Sequence, residues 1–242
     1  MSIQRGVFIK LPALESIDLV AAAGLDFAVV DLEHSQLAEA EGLRLVRHAA
    51  AIGLRTLVRI PAIERGPVNR LLEAGAAGLQ LSTVRSAGEV RALRDAMRHA
   101  PEGTRSISLA QPAAGYGAVA LGDYLAARRA RPPLLVAQLE TMTTDDPLEE
   151  ILAAGVDVAF VGTLDLLVDA GLDAARRDAR VEQIATAAER AGIALGAFGL
   201  SDARVVYDVV GSDVAMLRGA LEAAGGRAPR GQPASADLQP SR

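Results

Sequence analysis

The sequence contains no cysteine and very few aromatic residues. Without cysteine the chain can form neither disulfides nor thiolate zinc sites, and it has no cysteine nucleophile. Only 3% of the 242 residues are aromatic whereas 50% are hydrophobic, so the core must consist mainly of aliphatic side chains. Such a composition favours parallel strands that are buried on both faces of the sheet.

The chain also lacks a strong excess of one charge and any long apolar run. The formal net charge is −5, which gives no general attraction to nucleic acid or anionic membranes. The apolar run near the N-terminus is too short for a signal peptide, and no segment is long enough to span a membrane. We therefore expect a cytoplasmic protein with neither a nucleic-acid nor a membrane partner.

One pattern recurs along the chain: a helix-forming stretch ends in glycine, and a short aliphatic run follows. Glycine just after a helix supplies a left-handed C-cap, and the aliphatic run is typical of a buried strand. The repetition predicts a parallel α/β sheet, which we interpret as a (β/α)8 TIM barrel, with a doubly wound sheet as the alternative. The repeat glycines are Gly24, Gly53, Gly75, Gly155 and Gly192. The predicted strands are 6–11, 26–32, 55–60, 78–82, 134–139, 157–162, 193–198 and 213–217.

The length fits one domain, because α/β barrels commonly have this size as a single unit. We predict the barrel over residues 1–224 and a disordered tail over 225–242, where hydrophobic periodicity is lost. The segment 103–117 is too rich in glycine, proline and serine for a helix. It is predicted to be a long βα loop at the barrel mouth, where such loops are often functional.

Charged residues follow four of the predicted strands. The second strand ends in the sequence 31–34, Asp-Leu-Glu-His, and the third ends near Arg59. Glu140 follows the fifth strand and Asp165 follows the sixth. Each residue alone could be a solvated loop residue, a salt-bridge partner or a helix cap. Because the active sites of barrels lie at the C-terminal ends of the strands, the four together predict a shared site.

Histidine and lysine are scarce, which narrows the chemistry. Of the three histidines, only His34 follows a strand, so it is the candidate base. His48 and His99 fall within or near helices. Lys10, the only lysine, ends the first strand and leaves a Schiff-base mechanism open.

A divalent cation is the other way to stabilise an enolate. Glu140 and Asp165 are hard oxygen ligands suited to Mg²⁺ or Mn²⁺, and Arg59 could hold an anion beside them. We expect a cation at this pair of carboxylates.

Several short motifs, in order and spacing, resemble those of the HpcH/HpaI aldolase family. The similarity extends from about Gly6 to Arg218. It comprises GVFIKLP at 6–12, DLEH at 31–34, VRIP at 58–61, RLLEAGA at 70–76, PEGTR at 101–105, GYG at 115–117, DYL at 123–125, QLET at 138–141, GTLDL at 162–166 and GSD at 211–213. The resemblance implies a (β/α)8 barrel and a metal-dependent aldolase. Such an enzyme cleaves a 4-hydroxy-2-oxo acid reversibly to pyruvate, or a related 2-oxo acid, and an aldehyde.

The resemblance also implies roles for individual residues. His34 would be the catalytic base and Arg59 would bind the pyruvate-like part. Glu140 and Asp165 would bind the metal, which is Mg²⁺, Mn²⁺ or Co²⁺. Glu73 would partner the catalytic histidine, often across a subunit boundary, within a homohexamer whose C-terminal helices exchange between neighbours. Pocket-lining or substrate-binding positions are Phe8, Gln138, Thr163 and Leu164.

The chain departs from the family pattern around the substrate. Thr163, Leu164 and Leu167 replace proline, alanine and serine, Glu73 replaces aspartate, and an arginine is missing near Pro112. The positions of the metal ligands, the base and the arginine are retained while the residues around the substrate differ, which favours an active enzyme of altered specificity. The alternatives are an acyl-CoA carbon–carbon lyase of the citrate lyase beta or malyl-CoA lyase type, and a non-catalytic paralogue that binds metal and 2-oxo acid.

Overall fold

The structure is a computed structural model that describes residues 3–225. Eight parallel strands close into a barrel in the order in which they occur along the chain. The predicted (β/α)8 barrel is therefore confirmed, and the doubly wound alternative is wrong. The predicted tail lies outside the described residues, except for Gly225. None of the described helices is long and apolar enough to cross a bilayer.

The strands and helices alternate up to the seventh strand, with extra helices before the fifth strand and after the sixth, and the short connection between the seventh and eighth strands contains no helix. The strands are β1 Gln4–Ile9, β2 Phe27–Asp31, β3 Arg55–Ile60, β4 Gly78–Leu81, β5 Leu134–Leu139, β6 Val158–Val161, β7 Ala194–Phe198 and β8 Val205–Ser212. The helices are α1 Leu14–Ala22, α2 Glu39–Ala51, α3 Arg65–Ala74, α4 Ala87–Met97, α5 Leu121–Ala130, α6 Leu148–Ala153, α7 Thr163–Asp169, α8 Ala174–Ala191 and α9 Asp213–Gly225.

Local signals explain where several of these elements begin and end. All five repeat glycines have positive φ, and Gly75 and Gly192 are left-handed C-caps of α3 and α8. At the start of α4, Ser86 and Glu89 form a capping box: Ser86 Oγ accepts from the Glu89 amide, and the Glu89 carboxylate accepts from the Ser86 amide. Seven of the predicted strands lie within two residues of the observed ones.

Two predictions about elements are wrong. The eighth strand is Val205–Ser212, and the predicted strand 213–217 lies in helix α9. Asp213 begins this helix, where its carboxylate accepts from the amides of Lys10 and Leu11 as well as from Val214. The segment 103–117 follows helix α4 rather than a strand, so it is not a βα loop. It contains a short 3₁₀ segment, Pro112–Gly117.

The core has two layers. Aliphatic side chains fill the space between the strands and the outer helices, whereas a smaller cluster with most of the aromatic rings fills the barrel interior. There the rings of Phe27 and Tyr207 stack with centroids 4.2 Å apart. Gly6 makes room for them, because a Cβ at this position would stand 2.3 Å from the Phe27 ring. These side chains fill the barrel interior toward the N-terminal ends of the strands. Space for a site within the barrel therefore remains at the C-terminal ends of the strands.

Candidate active site

A cavity of about 260 Å³ opens at the C-terminal ends of the strands. It is lined by Phe8, Lys10, His34, Arg59, Gln138, Phe160, Gly162, Thr163, Leu164, Asp165, Phe198 and Ser212. A wider open groove of about 750 Å³ lies between residues 142–149 and helix α8, and it contains none of the strand-end residues singled out from the sequence. The rim of a (β/α)8 barrel is where its chemistry takes place, so the smaller cavity is the candidate site.

Asp31 is fully buried beneath this cavity and organises its cationic side chains. Asp31 and Arg59 are paired in register on β2 and β3. Nε and Nη2 of Arg59 donate to Oδ1 and Oδ2 of Asp31 at 2.9 and 2.6 Å. Burial alone would raise the pKa of Asp31, but hydrogen bonds from Arg59 and Lys10 outweigh it and hold this pKa well below its usual value. Asp31 is therefore a carboxylate that fixes the Arg59 guanidinium.

Lys10 is tied to the same carboxylate. Its Nζ lies 2.8 Å from Asp31 Oδ2 and donates to the backbone carbonyl of His34 at 2.8 Å. A Schiff-base lysine must present a free amine to its substrate, whereas this amine is engaged by an acid and a carbonyl oxygen. The geometry gives Lys10 a positioning role and argues against the Schiff-base alternative.

His34 stands at the rim with more than half of its side chain exposed. Its backbone amide and that of Glu33 donate to Asp31 Oδ1, both at 3.1 Å. The Glu33 carboxylate lies 3.7 Å from His34 Nε2 and 3.4 Å from Arg59 Nη1. Glu33 thus stands between the candidate base and the candidate anion-binding arginine.

Glu140 is a buried carboxylate held by neutral donors. Its Oε1 accepts from the backbone amide and the hydroxyl of Thr83, both at 2.7 Å. Its Oε2 accepts from Gln138, whose own side-chain oxygen accepts from Gln80 at 2.5 Å. Burial raises the pKa of Glu140; these hydrogen bonds offset only part of the effect, and the negative charge of Asp165 adds to it.

The carboxylate oxygens of Glu140 and Asp165 are suitable ligands for a divalent cation. Within residues 3–225 neither carboxylate forms an ion pair with a basic side chain, because Arg59 and Lys10 pair with Asp31. Two acids of like charge at one rim, one of them buried, are compensated best by a hard cation. No cluster of three or more histidine or acidic side chains exists in the described range, so the chain would offer two ligands.

Glu73 lies elsewhere in the chain. It is near the end of α3, which in a (β/α)8 barrel runs back toward the rim opposite the cavity. Its charge acts on His99 and Arg105, and the described residues contain no hydrogen bond or ion pair between Glu73 and His34. Contact between Glu73 and the histidine of another copy stays a prediction.

Sequence reasoning missed Asp31 and Thr83. Asp31 stands in the quoted DLEH motif, but its pairing with Arg59 on the neighbouring strand depends on the strand register, which the sequence does not give. Thr83 has a positive φ of 51°, which is unusual for a β-branched residue and leaves no mark in the sequence. Apart from Glu73, the structure brings the predicted site residues to the cavity or, for Glu140, beside it through Gln138 and Gly162.

Known proteins resemble the chain in sequence and in structure. The family model described as HpcH/HpaI aldolase/citrate lyase matches residues 4–225. A hydroxypyruvate/pyruvate aldolase from Roseovarius nubinhibens is 36% identical over 218 residues, which cover 83% of this chain and 82% of that protein. A 4-hydroxy-4-methyl-2-oxoglutarate aldolase from Chaetomium globosum is 31% identical over 199 residues, 79% of this chain and 74% of that protein. The crystal structure of an HpcH/HpaI aldolase from Desulfitobacterium hafniense matches with a TM-score of 0.84 and 27% identity over 93% of this chain and 92% of that one.

Proposed function

The chain belongs to the HpcH/HpaI aldolase/citrate lyase family and is a carbon–carbon lyase, and we propose that it is a divalent-metal-dependent aldolase. Its reaction would be the reversible cleavage of a 4-hydroxy-2-oxo acid to pyruvate, or a related 2-oxo acid, and an aldehyde. The observation that carries the proposal is a cavity lined by a buried arginine, a histidine and Asp165, with the buried carboxylate of Glu140 beside it. In the described part of the chain, neither of these two carboxylates forms an ion pair with a basic side chain.

Arg59 would bind the 2-oxo acid and stabilise its enolate. Its guanidinium is buried and fixed by two hydrogen bonds to Asp31, so it need not reorganise when negative charge grows on the keto oxygen. Preorganised charge of this kind contributes about 3–4 kcal/mol per donor to catalysis. A divalent cation, when bound by Glu140 and Asp165, would supply further positive charge to the oxygens of the substrate.

His34 would move the proton. In cleavage its imidazole takes the proton of the 4-hydroxyl, the C3–C4 bond breaks, and the bonding electrons pass to the keto group as an enolate. The aldehyde leaves, and protonation of the enolate at C3 gives the 2-oxo acid. Addition runs through the same steps in reverse. Glu33, 3.7 Å from His34 Nε2, is placed to orient the ring within one chain.

Two features favour this reaction over the alternatives. The two relatives named above are aldolases whose names contain 2-oxo acids, which supports a 2-oxo acid over an acyl-CoA substrate. Leu164, which departs from the family pattern, is 71% exposed, so it stands at the edge of the cavity and does not fill it. The open cavity supports a working enzyme over a non-catalytic paralogue.

The proposal is tested by the exchange of pyruvate methyl protons in deuterated water, followed by NMR. We expect exchange that stops with EDTA and returns with Mg²⁺, Mn²⁺ or Co²⁺. His34→Ala should slow the aldol reaction by about 10²–10⁴-fold, and Arg59→Ala should slow the exchange strongly. His48→Ala is the matched control, because His48 bonds to Asp18 outside the cavity. Exchange that is unaffected by EDTA, or full activity in both site variants, would refute the proposal.

We also propose that the protein is a homo-oligomer, by resemblance a homohexamer. Helix α9 supports this, because none of its residues is buried although Val214, Met216, Leu217 and Leu221 are large and apolar. An apolar helix face of this kind is normally covered, and a second copy of the chain is the proposed cover. In such an assembly Glu73 of one copy would partner His34 of another.

A further inference from the structure

The cavity concentrates the aromatic residues of an aromatic-poor chain. Only four of the 242 residues are phenylalanine, and three of them, Phe8, Phe160 and Phe198, line this one space. The rings of Phe8 and Phe198 meet edge to face with centroids 6.2 Å apart, and those of Phe8 and Phe160 at 6.3 Å. Together they form a continuous aromatic wall beside Arg59, whose guanidinium lies 4.5 Å from the Phe8 ring centroid.

The wall continues to the cavity mouth with two exposed side chains. Phe198 is 42% exposed and Leu164 is 71% exposed, although both are large and apolar. Phe198 ends β7, and Leu164 stands in the first turn of α7. Grouped apolar side chains at the edge of a concave site mark the place where an apolar ligand group is buried.

The charges of the cavity give a second argument. Its two permanently cationic lining residues are Lys10 and Arg59, and both are paired with Asp31. Arg59 is also assigned to the keto oxygen. Neither residue therefore offers a free charge for a second carboxylate of the substrate.

We propose that the aldehyde half of the substrate is uncharged and apolar, an alkyl or aryl group that packs on Phe8, Phe160, Phe198 and Leu164. The substrate class is then a 4-hydroxy-2-oxo acid with a hydrophobic substituent on C4. The cavity of about 260 Å³ is small for a ligand site, for which about 300–1,000 Å³ is common. The substituent is therefore a single ring or a short chain. This inference rests on the proposed aldolase function for the orientation of the substrate.

Ligands that cannot be cleaved test the inference apart from turnover. The 2-oxo acids 6-methyl-2-oxoheptanoate and 2-oxoadipate lack the 4-hydroxyl and differ only in an isopropyl group against a carboxylate at the far end. We expect calorimetry on the Mn²⁺-loaded protein to give at least about tenfold tighter binding of the isopropyl ligand. 4-Phenyl-2-oxobutanoate should share this preference. Equal or tighter binding of 2-oxoadipate would overturn the inference and would point to a cation from a neighbouring copy.

Variants locate the apolar subsite. Phe198→Ala and Leu164→Ala should each weaken binding of 6-methyl-2-oxoheptanoate by about five- to tenfold and leave that of 2-oxoadipate unchanged. Val168→Ala is the matched control, because Val168 is an exposed apolar residue of α7 that does not line the cavity. An equal loss for both ligands in the two cavity variants would contradict a separate apolar subsite.

Failure of this inference can be told from failure of the proposed function. Absence of pyruvate proton exchange together with preference for the isopropyl ligand would remove the aldolase reaction and retain the apolar subsite. Metal-dependent exchange together with preference for 2-oxoadipate would retain the aldolase and remove the apolar substrate class.

Discussion

At the scale of single residues, Asp31 determines where the positive charges of the cavity lie. It accepts from Arg59, Lys10 and the amides of Glu33 and His34, so one buried carboxylate connects the candidate base to the candidate anion-binding group. Removing one partner of a buried ion pair leaves an uncompensated charge, which is more costly than the loss of the attraction itself.

We predict that Asp31→Asn lowers the free energy of unfolding by about 3–5 kcal/mol at pH 7. Because the pKa of Asp31 lies below its ordinary value of 3.8 in the folded chain, its contribution is complete above that value. The contribution is lost as the pH falls through the folded-state pKa. Urea unfolding of both proteins between pH 7 and pH 3 measures the difference, which should shrink with acidification.

Asp208→Asn is a suitable control for the Asp31 variant. Asp208 lies on β8 and pairs with the exposed Arg5 at 3.8 Å, so its replacement should change stability by about 1 kcal/mol or less. A difference between wild type and Asp31→Asn that grows toward low pH would contradict the assigned charge state of Asp31.

The polar residues of the site show what a single sequence can reveal about individual side chains. The sequence predicts that His34, Arg59, Glu140 and Asp165 lie together, because each stands at or just after the end of a strand and the ends of parallel strands share one rim. The role of Asp31 depends on its register with Arg59, and that of Thr83 on a backbone conformation that few β-branched residues adopt. Such properties arise only when distant segments meet.

At the scale of elements, the connection between β6 and α7 sets the position of Glu140. Gly162 joins the two elements, and a Cβ at this position would stand 2.3 Å from Glu140 Oε2 and 2.6 Å from its Cβ. Both contacts are far inside van der Waals distance. A side chain at position 162 would therefore displace the Glu140 carboxylate or push α7, which carries Asp165, away from it.

We predict that Gly162→Ala weakens Mn²⁺ binding by about 10- to 100-fold, a range typical of altered surroundings of metal ligands. Titration calorimetry with Mn²⁺ measures the affinity, and circular dichroism checks that the barrel is intact. Gly122→Ala is the control, since a Cβ at Gly122 in α5 meets no atom within 4 Å. Unchanged Mn²⁺ affinity in a folded Gly162→Ala protein would separate Glu140 from any metal site.

The elements themselves were largely predictable, and the exceptions have physical reasons. Five of the seven correctly predicted strands follow a repeat glycine with positive φ, and an aliphatic run marks all seven. The eighth strand was misplaced because Asp208 interrupts the run 205–210, although its four valines favour a strand. The predicted strand 213–217 begins a stretch rich in alanine and leucine, which favours helix α9.

At the scale of the whole molecule, two features of the described residues point to a neighbouring copy: an exposed apolar helix and a predicted site residue that lies away from the cavity. Helix α9 presents large apolar residues with none buried, and Glu73 does not line the cavity. A closed oligomer would resolve both features, because a neighbouring copy could cover α9 and bring its own Glu73 to the first copy's His34. The two residues would then act together although they belong to different chains.

We predict that co-expression of His34→Ala and Glu73→Ala chains restores activity that neither variant has alone. In oligomers assembled at random, about one quarter of the sites would combine an intact His34 with an intact Glu73 from the neighbour. Co-expression of His34→Ala with Arg59→Ala should restore nothing, since both residues line the cavity of one chain. Aldol cleavage rates of the purified mixtures, with light scattering to establish their assembly, measure the effect. If the first mixture stays as inactive as the second, Glu73 does not act on the histidine of another copy, and Glu33, 3.7 Å from His34 Nε2, becomes the acid that orients the base.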